Sequence, residues 1–88
     1  MESKFLRATT KNGVVTKNDN IQADGHSEIF LKNLGDTPAQ INDNIPLDPG
    51  DDFAFSFEKG IVIDEPLSIR FLNSGSIKKV LWIKTYFK

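Results

Sequence analysis

The chain lacks cysteine and has a single histidine, His26, so it has neither thiolates nor a pair of imidazoles with which to bind a metal or activate a nucleophile. Without cysteine there is no disulfide, no thiolate ligand and no cysteine nucleophile. His26 has no second histidine with which to complete a metal site, and we interpret it as an ordinary loop residue. We therefore expect no enzymatic activity, no catalytic residue, no metal and no cofactor.

Long apolar runs are also absent, because no stretch approaches the roughly 18 residues that a membrane span needs. Residues 1–13 lack the apolar segment of a secretory signal. A length of 88 residues fits one domain with one core, so we treat residues 1–88 as a single domain. These features predict a soluble protein that is made in the cytoplasm and has no membrane partner.

Motifs for phosphate and calcium are missing as well. The six glycines are scattered, so they form no glycine-rich phosphate loop. Asp48, Asp51 and Asp52 offer oxygen ligands but do not follow the pattern of a calcium loop, and we interpret them as turn residues. Asp64 and Glu65 are adjacent, and neighbours on a strand point to opposite faces, which is a poor arrangement for an acid–base pair.

Charge is unevenly distributed, although the net charge is only −1. Residues 1–17 carry four basic groups and one acid, residues 18–66 carry two basic groups and eleven acids, and residues 67–88 carry five basic groups and no acid. The pI near 5.7 argues against nucleic acid as a partner, since domains that bind it carry a basic excess. Either these charges are ordinary solvated strand faces, or basic and acidic sides of different subunits meet and orient assembly.

A β pattern is present, and it is centred on residues 41–57. Asp48-Pro49-Gly50-Asp51 places proline and glycine at the second and third positions of a turn, which predicts a type II turn. After the turn, Phe53, Phe55 and Phe57 alternate with small or polar residues. This period of two predicts a core strand that buries all three rings on one face.

Turn signals and apolar alternation recur about every ten residues in the rest of the chain. We predict a first hairpin with a turn at Asn12-Gly13 and strands at 4–9 and 14–16, followed by a long polar loop at 17–26. The other predicted strands are a second hairpin at 27–33 and 39–42, and single strands at 61–63, 67–71 and 77–87.

The last of these strands has apolar side chains on both faces, which suits a strand covered on both sides over part of its length. Seven or eight short strands without helical periodicity predict an all-β fold. We expect a single small antiparallel β-sandwich, jelly-roll-like or a small barrel.

The turns of residues 28–72 resemble those of a known group of proteins. A strand ends in Asn33-Leu34-Gly35, a short strand follows, and Leu47-Asp48-Pro49-Gly50 opens an aromatic strand. This order looks like that of small β-sandwich structural proteins of tailed bacteriophages. The resemblance implies a virion component made in the host cytoplasm: a capsid decoration or vertex protein, or a head or tail accessory subunit. It also implies a homo-oligomer, or docking onto larger virion proteins, and no ligand or catalytic residue.

Large aromatic side chains near the ends of a strand that otherwise alternates with lysines are candidates for a contact between subunits. We predict that Phe5, together with Trp82 or Tyr86, contributes to such an interface. The alternative function is a carbohydrate-binding or adhesive sandwich module, in which aromatic rings stack on sugars and the loop at 17–26 holds them. Carbohydrate would then be the partner, and outside a virion the expected location is the cytoplasm.

Overall fold

Eight β-strands make up the regular structure of the described chain. The structure, a computed structural model, describes residues 8–57 and 61–87. In chain order the strands are β1 (Ala8–Val15), β2 (Asp19–Ile21), β3 (Glu28–Asn33), β4 (Ala39–Ile41), β5 (Ile45–Leu47), β6 (Asp52–Ser56), β7 (Leu67–Phe71) and β8 (Val80–Phe87). The all-β prediction is confirmed. Within the described ranges no helix is long and apolar enough to cross a membrane.

The strands form two four-stranded antiparallel sheets that pack as a sandwich. Sheet A has the order β1-β8-β3-β6, and sheet B has the order β2-β7-β4-β5. The pairs are nested, because β4 pairs with β5, β3 with β6, β2 with β7 and β1 with β8. A long hairpin folded over in this way is a jelly roll, and its sheets are open rather than closed into a barrel.

The inner faces of the two sheets supply the core, because apolar residues occupy alternate strand positions. In β3, for example, Ile29 and Leu31 are buried while Glu28, Phe30 and Lys32 point outward. A buried aliphatic side chain contributes about 1.5–3 kcal/mol, so this alternation fixes which face of each strand is internal. The core residues are Val15, Ile21, Ile29, Leu31, Ala39, Ile41, Leu47, Leu67, Ile69, Phe71 and Val80.

The turn at the centre of the chain follows its sequence prediction. Gly50 has a φ of 88°, and the Asp51 N–H donates to the Asp48 carbonyl oxygen at 2.8 Å. A type II turn requires a positive φ at its third position, which glycine adopts without strain. The turn joins β5 in sheet B to β6 in sheet A, so it takes the chain from one sheet to the other.

The aromatic strand is less buried than predicted. Because β6 is an edge strand of sheet A, Phe53 and Phe55 are only half-buried against the core, with ring centroids 4.8 Å apart. Phe57 lies just past the end of β6 and is 51% exposed. The prediction of three buried rings was therefore wrong, since alternation along a strand does not reveal where the sheet ends.

The predicted hairpin at Asn12-Gly13 does not form. Instead β1 continues through both residues and pairs along its whole length with β8. Gly13 lies opposite Trp82, and a Cβ atom on Gly13 would come within 2.5 Å of the indole Cζ2 atom. The glycine leaves room for the indole ring across the strand pair rather than making a turn. Residues 4–7 of the predicted first strand lie outside the described residues.

Other local predictions were also wrong. The strands β3 and β4 belong to different sheets, so residues 34–38 connect the two sheets and do not close a hairpin. The loop predicted at 17–26 contains the short strand β2. Residues 61–63 form no strand within the described ranges, and Ile61 and Val62 are exposed.

Asn33 ties the two sheets together where β3 ends. Its side chain is buried, and its Nδ2 donates to the carbonyl oxygens of Thr37 at 2.8 Å and Leu47 at 2.9 Å. Its Oδ1 accepts the Gly35 N–H at 2.9 Å. Because Leu47 belongs to sheet B, these bonds join the sheets and supply partners to backbone groups that water does not reach.

We expect Asn33→Asp to lower the free energy of unfolding by about 2–5 kcal/mol, because a buried carboxylate cannot donate to the Thr37 and Leu47 carbonyl oxygens. Urea unfolding followed by circular dichroism measures the loss. The matched control is Asn44→Asp in an exposed turn, for which we expect a change of less than about 0.5 kcal/mol. Equal losses in the two variants would show that Asn33 does not have this role.

Candidate functional site

The first candidate is a polar cluster formed by Asp24, His26, Lys84 and Tyr86. Asp24 is its centre, because its Oδ1 lies 3.3 Å from His26 Nδ1 and 3.3 Å from Lys84 Nζ. The same oxygen accepts a hydrogen bond from the Tyr86 hydroxyl at 2.8 Å, and Lys84 also donates to the Gln22 carbonyl oxygen at 2.7 Å. The cluster therefore fastens the segment after β2 to the inner side of β8.

The environment of this cluster shifts three pKa values. Burial lowers the pKa of His26, and the Lys84 ammonium group lowers it further. The hydrogen bond from Tyr86 is the largest cause of the lowered pKa of Asp24. Burial and the Asp24 carboxylate together raise the pKa of Tyr86 to about 12. At neutral pH the cluster thus combines a neutral imidazole, a carboxylate and a neutral phenol.

The geometry of the cluster suits a structural role rather than acid–base catalysis. A carboxylate only accepts hydrogen bonds, so the proton of the neutral His26 ring lies on Nδ1 and faces Asp24. The other ring nitrogen, Nε2, is buried and has no hydrogen-bond partner among the described residues, so a substrate in solution does not reach it. In the same part of the chain, no group of three or more His, Asp or Glu side chains is placed to hold a metal ion.

His26, Asp24 and Lys84 were not singled out as a group by the sequence. His26 lies in the loop between β2 and β3, as predicted, but its side chain is only 1% exposed and is therefore not that of an ordinary loop residue. Lys84 carried a usable signal, since alternation on the last strand places it on the same side as Val80 and Trp82. A lysine at an internal position requires a partner, and Asp24 supplies it from another part of the chain.

The aromatic residues predicted to form a subunit contact are partly engaged inside the subunit. Trp82 and Tyr86 lie on the inner side of β8, and both are half-buried. Trp82 packs against the core next to Gly13, and Tyr86 is bonded to Asp24. Phe5 lies outside the described residues. A contact between subunits through these three side chains stays a prediction.

The second candidate is the outer face of sheet A, which is apolar at its centre. Outward-pointing residues of neighbouring strands form rows across the sheet. The central row is Asn12, Ile83, Phe30 and Ala54. The row on one side is Val14, Leu81, Lys32 and Asp52, and the row on the other side is Thr10, Thr85, Glu28 and Ser56. We call Val14, Phe30, Ala54, Leu81 and Ile83 the apolar patch.

The outer face of sheet B differs from the apolar patch in its chemistry. Its outward-pointing side chains are polar apart from one proline: Asn20, Gln40, Pro46, Ser68 and Arg70. This is the composition expected of a sheet face in contact with water. The contrast between the two faces indicates that sheet A, rather than sheet B, carries the surface suited to a protein partner.

Two shallow grooves lie on the surface of the described residues. One, of about 290 Å³, is in the outer face of sheet A on the Glu28 side of Phe30, where Ala54 and Ser56 leave space. The other, of about 360 Å³, lies at the end of β6 between Phe57 and residues 61–65. Only the first groove is continuous with the apolar patch.

No protein-family model matches the chain, and no curated protein is significantly similar to it in sequence. The fold, the polar cluster and the apolar patch are therefore the observations on which a function can be based.

We expect the fold to lose stability as the pH falls from about 7.5 to about 5. A histidine whose pKa is lowered by folding takes up its proton more readily in the unfolded chain, near pH 6.5. The free energy of unfolding therefore decreases as the pH drops below about 6.5. Asp24 stays ionised throughout this window because its pKa is lowered.

The urea midpoint measured across this pH range tests the expectation, with His26→Gln as the comparison. His26 is the only histidine, so the midpoint of this variant should be nearly independent of pH even if the variant is less stable. An unchanged midpoint in the native protein between these two pH values would contradict the buried, neutral state of His26.

We expect Tyr86→Phe to raise the pKa of Asp24 towards its ordinary value, because the hydrogen bond from the phenol is the largest cause of its lowering. The loss of that bond should also cost about 1 kcal/mol of stability. Carboxyl carbon shifts in an NMR titration measure the pKa. Asp36 serves as an internal reference, since its pKa is lowered by backbone N–H groups of Ser76 and Ile77 that the substitution leaves in place. Equal shifts at both residues, or none, would contradict the assignment.

Proposed function

We propose that the protein is a non-enzymatic structural subunit of a bacteriophage virion that works through protein–protein contacts, with the apolar patch on sheet A as its docking surface. The observation that carries this proposal is the difference between the two outer faces of the sandwich. Sheet B presents polar side chains to water, whereas sheet A presents Phe30, Leu81 and Ile83 at its centre.

Burial of the patch by a partner would release free energy. The three large side chains are half-buried within one subunit, so covering them would contribute on the order of 1 kcal/mol each. This gain, about 3 kcal/mol in total, does not by itself offset the freedom that two subunits lose on association, so the contact also needs the polar and charged groups around the patch. A docking surface of this kind suits a subunit that joins an assembly after it has folded.

The virion part of the proposal is supported by the turn pattern and by fold-level analogy. The turn at Asn33-Leu34-Gly35 and the turn at 48–51 resemble those of small structural proteins of tailed phages, and jelly rolls recur in viral capsid proteins. Jelly rolls also recur in lectins, so the fold alone does not separate assembly from sugar binding.

The placement of the aromatic rings favours assembly over carbohydrate binding. Trp82 packs on the core beside Gly13, and the Tyr86 hydroxyl is bonded to Asp24, so neither ring is a free stacking platform. An enzymatic role receives no support from the polar cluster, because its free ring nitrogen is buried.

Phage particles purified from cells in which this chain is expressed during phage growth test the proposal. Mass spectrometry should find the chain as a multi-copy component. Ile83→Lys in the encoded chain should lower its incorporation at least about tenfold, because the change places a charge at the centre of the docking surface.

The matched control is Ser68→Lys, which adds the same charge to the outer face of sheet B and should leave incorporation unchanged. Thermal unfolding of both purified variants shows that each is folded. Absence of the chain from the particles, or equal incorporation of the two variants, would contradict the proposed function.

A further inference from the structure

We propose that the partner seated on the apolar patch is a second copy of this chain, related to the first by a two-fold axis that runs along the central row at right angles to the strands. This inference rests on the proposed function of the patch as a docking surface. It adds the identity of the partner and the orientation in which that partner binds. The strands β3 of the two copies would then cross antiparallel, with Phe30 of each copy at the axis.

Charge on the outer face supports this orientation. Glu28 and Lys32 flank Phe30 on β3, two residues away on either side, and both point outward. Their Cα atoms are about 13 Å apart along the strand, so the two side chains do not reach each other within one copy. The ion pairs among the described residues involve neither side chain. The charge is negative on one side of Phe30 and positive on the other. When a second copy is rotated by a half-turn, its positive side therefore faces the negative side of the first copy.

The proposed axis brings these charges together. After a half-turn about the central row, Phe30 and Ile83 of one copy each face the same residue of the other copy. The two flanking rows change places, so each row faces the opposite flanking row of the other copy. Lys32 of one copy then lies above Glu28 of the other, and the symmetry repeats the pair. The same operation places Leu81 above Thr85 and Asp52 above Ser56, so no like charges face each other.

The other face-to-face arrangement is less favourable. An axis parallel to the strands, between β8 and β3, would place Lys32 above Leu81 and Asp52 above Val14. Lys32 and Asp52 of each copy would then lose water under apolar side chains of the other copy without gaining an opposite charge from it, which costs more than an apolar contact returns. The charges on the face thus select the perpendicular axis.

The shape of the surface agrees with the same orientation. The groove of about 290 Å³ lies on the Glu28 side of Phe30, and the proposed axis carries the Lys32 side chain of the second copy over it. The aliphatic stem of that lysine would pack on Phe30 and Ala54, while its ammonium group reaches Glu28.

The size of the face predicts a weak dimer. Four strands of up to eight residues cover about 19 Å by 26 Å, or about 500 Å² on each copy. A total near 1,000 Å² is at the lower end of specific interfaces, so we expect a dissociation constant in the micromolar range or weaker.

Sedimentation velocity from about 1 μM to about 1 mM measures this dimer. Glu28→Lys should weaken it at least about tenfold, since both symmetry-related pairs become repulsive. Lys32→Glu should weaken it similarly. The double variant Glu28→Lys, Lys32→Glu should restore the affinity to within about threefold, because the exchange recreates both pairs.

Asp52 lies opposite Lys32 on β6, so a glutamate at position 32 would be repelled by it within one copy. All of these variants are therefore made with Asp52→Asn, and Asp52→Asn alone is the reference. Their thermal unfolding temperatures are measured alongside, so that a loss of association can be separated from a loss of folding.

The outcomes separate this inference from the proposed function. If Ile83→Lys abolishes association but the charge variants leave it unchanged, the proposed orientation of the two copies is wrong. If the protein is a monomer at every concentration, the partner on the apolar patch is not a second copy of this chain. Either result leaves the function standing if Ile83→Lys still prevents incorporation into particles. Restoration by the double variant would support the inference, since no other partner carries the compensating charge.

Discussion

The buried side chain of Asn33 is the interaction on which the arrangement of the two sheets depends. It uses both amide hydrogens and the amide oxygen at the end of β3, and its backbone continues the network: the Asn33 N–H donates to the Asp51 carbonyl oxygen, and the Gly50 N–H donates to the Asn33 carbonyl oxygen, each at 3.0 Å. Asn33 is thus hydrogen-bonded to the segment between β3 and β4 and to the segment between β5 and β6. These are the two segments that lead from one sheet to the other on either side of the β4–β5 hairpin. Few side chains could replace it, because the site needs two donors and one acceptor in a fixed plane.

The polar cluster around Asp24 lies at the opposite end of β3. Hydrogen bonds between polar groups therefore hold the sandwich together at both ends, and apolar contacts fill its centre. The two ends differ in chemistry. The Asn33 network is neutral and insensitive to pH, whereas the other end combines a carboxylate, an ammonium group and a neutral imidazole. Acid should therefore loosen one end of the sandwich before the other. The outer face of sheet A lies between these two ends, on strands that both networks hold.

The fold class followed from the sequence because alternation of apolar residues is a local property, and so is the turn at 48–51, whose proline and glycine determine their own geometry. Pairing was harder to predict. Asn12-Gly13 has the composition of a hairpin turn, but the position of Trp82 across the strand pair decides its conformation, and that contact is distant in sequence. The same applies to the site. Apolar residues on both faces of β8 indicated a covered strand, yet the row that joins Ile83 to Phe30 and places Glu28 and Lys32 around it exists only after β3 and β8 pair.

The nesting of the strand pairs has a consequence for how the chain reaches its fold. The β4–β5 pair closes a short loop, and each later pair joins segments that are farther apart in sequence, with β1 and β8 the most distant. Closing a loop costs only about 0.6 kcal/mol more for each doubling of its length, and every inner pair shortens the free chain that the next pair must close. Folding from the centre outwards is therefore the least costly order, and β1 would join last. The outer face of sheet A needs β1 and β8 side by side, so a chain that is still folding does not yet present the complete surface.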